Sequence, residues 1–254
     1  MEKTPACQGQ NKTPSLSAAI RAFNHYMVDT LDQVRPVAGR TVLDLGASPY
    51  GFALERALEL GVSEYVGVSL DAPEHLPVSN CTGPSGRLLR MDATRLDFPD
   101  DRFDLALSMA AFEHFLDGRR VLAEMHRVLK PGGSALVTFD RIWTSARGHH
   151  LHHIEPVAEL IPPWAYLLLS EGSMRGLLTP RGSGELPMSV DEVLHWIYHS
   201  GEINRVDIRE FREMFASLSL RPSGWCRLRR KPLEQPVNWQ SMLHCTCRTR
   251  QKIF

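Results

Sequence analysis

The stretch Val42-Leu43-Asp44-Leu45-Gly46-Ala47-Ser48-Pro49-Tyr50-Gly51 decides how the chain is read. A short apolar run carrying one acid gives way to glycine and small residues, and a helical pattern begins just after Gly51. In an open α/β sheet the first strand-to-helix turn needs small residues, because backbone there approaches a ligand at the carboxyl ends of the strands. Working outward, short apolar runs recur between Thr41 and Phe139, as YVGVSL from Tyr65, GRLLRMD from Gly86, FDLALS from Phe103 and SALVTF from Ser134. Helical stretches alternate with them, the pattern of βαβ units around a buried parallel sheet. The clearest helix is VLAEMHRVLK from Val121, where Val121, Leu122, Met125, Val128 and Leu129 form one apolar stripe that Pro131-Gly132-Gly133 ends.

The flanks follow different rules. Residues 1–15 are polar and without period and read as a loose leader, whereas 16–34 place Ile20, Phe23, Met27 and Leu31 at helical spacing, as a cover helix does. From Asp140 to about Arg205 the rhythm stops in a segment rich in His, Pro, Trp and Gly, with a helix at 190–199 opened by a capping box from Ser189 to Glu192. This segment, 141–205, reads as an inserted cap. Residues 207–217 then suggest a helix, and 219–229 and 242–250 two strands that close the sheet. The expectation is one domain over 16–254, with a core at 38–140, the cap at 141–205 and closing elements at 206–254.

Composition narrows the function. The 254 residues are 43% hydrophobic, and 29 Lys+Arg balance 29 Asp+Glu. A net charge of zero provides no long-range field for nucleic acid or an anionic membrane, so neither is expected as a partner. No run approaches the roughly 20 apolar residues of a membrane span, and the N-terminus lacks the apolar centre of a signal peptide; a cytoplasmic protein is expected. Five scattered cysteines do not form a disulfide framework, and Cys245-x-Cys247 reads as alternation along a strand.

The strand-to-helix motif resembles the first motif of the class I S-adenosylmethionine-dependent methyltransferases. Met91-Asp92-Ala93 followed by Leu96-Asp97-Phe98-Pro99 is similar to that family's adenine-binding strand end. Phe103-Asp104-Leu105-Ala106-Leu107-Ser108 is similar to its fourth strand, and Ala111-Phe112-Glu113-His114-Phe115 with Leu129-Lys130-Pro131-Gly132-Gly133 to the helix and turn that follow. The resemblance spans about residues 40–140. It implies a Rossmann-like α/β fold with a mostly parallel seven-stranded sheet and the cap inserted after the fifth strand. It also implies S-adenosylmethionine as cofactor, with Asp92 accepting from the adenine amine and Asp44, Gly46, Ala47, Ser48, Ser69, Asp71, Ala93 and Ser108 around it. Two positions depart from the pattern. Ala47-Ser48-Pro49-Tyr50 replaces the usual glycine alternation, and Ser69 stands where the family ends its second strand in an acid; Asp71 either substitutes for that acid or caps the turn before Pro73. Asp104 lies at a strand start and reads as structural.

On the acceptor side the resemblance places Glu113 and His114 beside the reacting centre, His114 either as a general base or as packing at a helix start. His149, His150, His152 and His153 open the cap, and His149 and His150 are further candidates for proton transfer. Neighbouring histidines on an extended chain point to opposite sides, so no metal site is expected from that run. Ile161 to Leu168 suggests either a pocket wall or cap core, Gly201 to Arg205 a pocket lining, and Arg227 to Lys231 a solvated surface. The function implied is methyl transfer to a small molecule in bacterial secondary metabolism. Two alternatives remain open: an enzyme of the same fold that catalyses elimination or intramolecular cyclisation, such as aziridine formation, and a non-catalytic partner subunit. A homo-oligomer or a small protein partner is compatible with either.

Overall fold

The computed structural model describes residues 14–72, 76–79, 85–179, 186–217, 221–227 and 243–248. Residues 1–13 of the expected leader and the end of the Arg227–Lys231 run lie outside them. The sheet has eight strands, β1 Thr41–Leu45, β2 Glu64–Ser69, β3 Leu76–Ser79, β4 Ser85–Arg90, β5 Phe103–Ser108, β6 Leu129–Phe139, β7 Arg221–Arg227 and β8 Leu243–Arg248, in the order β3-β4-β2-β1-β5-β6-β8-β7. The five strands from β4 to β6 are parallel, and β3, β8 and β7 run antiparallel to their neighbours. Among the described residues the sheet thus has eight strands, against the expected seven. The additional one, β3, is a four-residue edge strand carrying Pro77, and a proline inside a short run argues against a strand except at an edge. Cys245 and Cys247 both fall on β8.

Strand β1 sits in the middle because it is apolar enough to be covered on both faces. Its alternate residues divide the core: Leu43 and Leu45 join Val66, Val68, Phe112, Phe139, Phe211 and Phe215, while Val42 joins Met27, Leu31, Ala53, Tyr65, Leu105 and Leu107. The first set lies beneath α3 (Gly118–Val128) and α8 (Ile208–Ser217), and the second beneath α1 (Pro14–Val34) and α2 (Phe52–Glu59). Helix α3 starts where Asp117 accepts from the Arg120 amide at 3.0 Å, satisfying one of the donors a helix start leaves open. No helix among the described residues is long and apolar enough to cross a membrane.

The segment after β6 builds a third core. Helices α4 (Glu155–Leu160), α5 (Ala165–Leu168), α6 (Glu171–Leu178) and α7 (Val190–Tyr198) surround Leu151, Val157, Ile161, Tyr166, Met174, Val193, Leu194 and Ile197. Both halves of the Ser189–Glu192 capping box are formed. Within this segment Ile161, Ala165 and Tyr166 are core, whereas Trp164 and Leu168 are exposed.

Two features of this packing predict measurable behaviour. Phe112 is fully buried and meets the rings of Phe115, Phe139, Phe211 and Phe215; Phe112→Ala should cost about 3–5 kcal/mol in denaturant unfolding, from lost transfer energy and the cavity left behind. A loss below about 1 kcal/mol would show that the cluster collapses around the gap. Asp44 is also fully buried; it accepts from the Tyr65 hydroxyl, and burial raises its carboxyl from 3.8 to about 7. Because the folded value lies above the unfolded one, Asp44 costs nothing below pH ~4 and progressively destabilises as pH rises to ~7. Asp44→Asn should therefore gain stability relative to the parent across that window, and urea midpoints that stay parallel from pH 4 to 8 would contradict the buried, proton-holding Asp44.

Candidate functional site

The chain runs from β1 outward to β2 and β4, then crosses back over β1 to β5 and β6, so the direction of winding reverses between β1 and β5. In such sheets ligands bind outside the carboxyl ends of the strands at this reversal. Two loops meet there. Gly46 has φ +79°, and both its amide and that of Ala47 donate to the Val68 carbonyl, at 2.9 and 3.0 Å. A Cβ on Gly46 would stand 2.4 Å from the Ala111 Cβ of the loop after β5. Glycine is thus required twice over, by the left-handed backbone and by the approach of the second loop.

The departure at Ala47-Ser48-Pro49-Tyr50 is absorbed as a turn. The Gly51 amide donates to the Ser48 carbonyl at 3.2 Å, Gly51 itself is left-handed at φ +69°, and the Tyr50 ring lies outside, stacked 5.7 Å from Phe52 at the start of α2. At the end of β2 the Ser69 hydroxyl accepts from the Asp71 amide at 3.2 Å, and the Asp71 side chain is exposed. Asp92 is exposed just beyond β4, and its Oδ1 accepts from the Thr94 amide and hydroxyl, each at 2.8 Å; Ala93 is buried beside it. Ser108 is fully buried at the end of β5, and among the described residues its hydroxyl has no partner; the same holds for Oδ1 of Asp44. Orphaned buried polar atoms, exposed carboxylates and a glycine-tight turn at one end of the sheet fit the cofactor that the sequence resemblance implies. Leu70, directly after β2, is a large apolar residue that is 63% exposed. Asp104 stands at the opposite end, tied to the Thr41 amide and to Lys130.

After β5 the chain makes a single 3-10 turn over Phe112–His114. Glu113 is 1% exposed; Oε1 accepts from the Asp140 amide at 3.0 Å, and among the described residues Oε2 has no partner. Burial raises its carboxyl to about 8. The turn is held from the end of the cap, where the Asn204 amide donates to the Glu113 carbonyl at 2.8 Å and the Asn204 side chain donates to the carbonyls of Phe112 and Phe115. His114 is exposed, with Nδ1 at 2.9 Å from the Glu202 carbonyl.

The start of the cap supplies the remaining groups. Gly148 is packed so tightly that a Cβ would lie 2.4 Å from the carbonyls of Ile142 and Trp143, and the Tyr166 hydroxyl bonds to the carbonyls of Trp143 and Ser145. This closes residues 142–148 into a knot and delivers His150 in the left-handed conformation, φ 60°. Its ring lies 5.5 Å from that of His114, its Nε2 bonds to the Arg141 carbonyl, and burial lowers its pKa. His149 goes the other way, with its ring 5.1 Å from Tyr166. His152 approaches Asp140 at 3.7 Å, and the side chain of His153 lies outside the described residues. The structure therefore gathers Glu113, His114 and His150 and separates His149 from them. A ligand-competent atom of each of the three lies within 4.8 Å of the others. Sequence spacing alone shows only the run of histidines and no convergent set. The convergence joins two loops distant in sequence, and of the residues that hold it Asn204 and Glu202 lie in the stretch read as lining.

These observations agree with known proteins. The methyltransferase-domain family model matches residues 43–137. An uncharacterized methyltransferase of Mycobacterium sp. (strain JLS) is 38% identical over 112 residues, which is 44% of this chain and 43% of that protein. One from Mycobacterium avium (strain 104) is 35% identical over 136 residues, 52% of this chain and 53% of the relative. The chain thus spans about half the length of the curated relatives it matches. Among solved structures, the S-adenosylmethionine-dependent methyltransferase of Mesorhizobium loti has a TM-score of 0.55 at 17% identity, covering 87% of this chain and 96% of that one. The Burkholderia thailandensis 1,6-didemethyltoxoflavin-N1-methyltransferase, solved with its substrate and S-adenosylhomocysteine, has a TM-score of 0.50 at 18% identity over 98% and 94%. The likeness to these structures is one of fold. The segment that matches the methyltransferase-domain family model, residues 43–137, runs from the first parallel strand to the fifth.

Proposed function

We propose that the protein transfers a methyl group from S-adenosylmethionine to an oxygen, nitrogen or carbon of a small molecule, in bacterial secondary metabolism. One observation carries the reading: the Gly46 turn and the loop leading to Glu113 and His114 meet at the winding reversal, so a cofactor crevice and a proton-handling cluster share one end of the sheet. When bound, S-adenosylmethionine supplies an electrophilic sulfonium methyl. Asp92 accepts from the adenine amine, Asp71 and Ser69 serve the ribose, and Ala93 and Ser108 line the crevice. Gly46, Ala47 and Ser48 receive the amino-acid end, with Asp44 behind them. Glu113, His114 and His150 face the acceptor, where His114 takes its proton while the segment after β6 shields the site. Most of the rate comes from holding acceptor and methyl donor in line, since positioning alone removes a large part of such barriers. The family match over residues 43–137 favours this over elimination or cyclisation on the same fold.

Isothermal titration should give micromolar affinity for S-adenosylhomocysteine. Asp92→Ala should weaken it about tenfold or more, the equivalent of one lost charge-assisted hydrogen bond. Absence of binding by the parent at millimolar ligand would overturn the assignment. Once an acceptor is in hand, His114→Ala should lower turnover by about a hundredfold to ten-thousandfold with cofactor affinity nearly unchanged, and near-parental turnover would remove His114 from the chemistry.

A further inference from the structure

The hydrogen bonds around the three acceptor-side residues carry more than a proton-transfer role. A carbonyl oxygen only accepts, so the His114 Nδ1 that meets the Glu202 carbonyl must carry the proton, and so must the His150 Nε2 that meets the Arg141 carbonyl. The bare lone pairs are therefore on His114 Nε2 and His150 Nδ1. Metal-binding histidines are usually prepared in this way, with the far ring nitrogen donating to a backbone carbonyl or carboxylate that sets tautomer and orientation. Glu113 is prepared likewise: Oε1 is taken by the Asp140 amide, while Oε2 is buried and, among the described residues, without a partner.

We propose that Glu113, His114 and His150 bind a divalent transition-metal ion of the zinc type, with coordination left open on the exposed His114 side for a ligand. Two imidazoles and one carboxylate form a familiar ligand set for such an ion. One ligand-competent atom of each residue lies within 4.8 Å of the other two, and tetrahedral coordination at about 2.0–2.2 Å, which sets ligand atoms about 3.4 Å apart, asks for closure by up to about 1.4 Å. The exposed His114 side chain can supply that movement. The surrounding charges allow it. Asp140 donates its amide to Glu113 and stands within 3.7 Å of His152, and Arg141, 3.8 Å from Asp140, also feels the charge of Arg147, so two carboxylates meet two cations there. The backbone has been distorted to place these ligands: His150 is left-handed and follows the tight turn at Gly148. Such cost is commonly met where a side chain must be aimed. Binding of the ion stands on this geometry alone, while its use on an acceptor rests on the methyl-transfer reading. There a bound ion would lower the pKa of an acceptor oxygen or nitrogen, and with the ion bound His114 would be a ligand in place of the proton acceptor it is in the metal-free reading.

The test uses the whole chain, stripped with chelator and titrated with zinc chloride. About one zinc per chain should survive desalting, and cobalt should give the visible absorption bands of a low-coordinate nitrogen and oxygen site. His114→Ala, which alters an exposed side chain, and His150→Gln should each weaken zinc at least tenfold. A control is needed because His195 of α7 and His199, which caps its end, have ring centres 6.1 Å apart and could hold a stray ion. His195→Ala should leave the tight ion in place. No retained zinc, equal affinity in parent and His114→Ala, or loss only in His195→Ala would each overturn the proposal. S-adenosylhomocysteine titration of the same metal-free samples separates the two readings, since cofactor binding without zinc binding sinks this inference alone, and the reverse sinks methyl transfer alone.

Discussion

Everything at the functional end of this protein depends on the contact between Gly46 and Ala111. The two loops that flank the winding reversal approach so closely that no side chain fits on the first, and the same glycine takes a left-handed backbone that lets two successive amides share the Val68 carbonyl. Packing at this density does not stretch. The turn after β1 and the loop after β5 are therefore packed against each other at one end of the sheet. The unusual Ser48-Pro49-Tyr50 insertion is compatible with this because it closes into its own turn and sends Tyr50 outward onto Phe52.

The second constraint is the tie between the 3-10 turn and the segment after β6. Asn204 bonds three carbonyls of residues 112–115, Glu202 holds His114, and Arg141 holds His150. Phe112 anchors the same turn from below, in a cluster of rings contributed by β6 and α8. Rigid support on both sides explains how one buried carboxyl and two imidazoles stay near each other even though they come from distant parts of the chain. Such second-layer support commonly distinguishes a working constellation from a chance cluster.

Asp44 shows how the sheet accommodates polarity at its centre. A carboxyl there, fully covered and joined to Tyr65, retains its proton to about pH 7, and the paired hydroxyl limits the penalty of burial.

Sequence alone determined the parallel core, because buried strands and amphipathic helices are written in local periodicity, from the Thr41 run through the Val121 stripe to the Ser189 capping box. It also located the turn at Gly46, Asp92 and the Glu113-His114 pair, since these follow strand ends directly. It missed β3, whose Pro77 breaks the local pattern, and left the choice among the histidines open. That choice is tertiary. Neighbouring positions 149 and 150 have the same chemistry, and only the knot at Gly148 and the left-handed backbone of His150 turn one into the cap core beside Tyr166 and the other toward His114. Local propensity cannot encode a convergence between two loops distant in sequence, one of them held by a carbonyl 88 residues away, so the assembled cluster belongs to the fold.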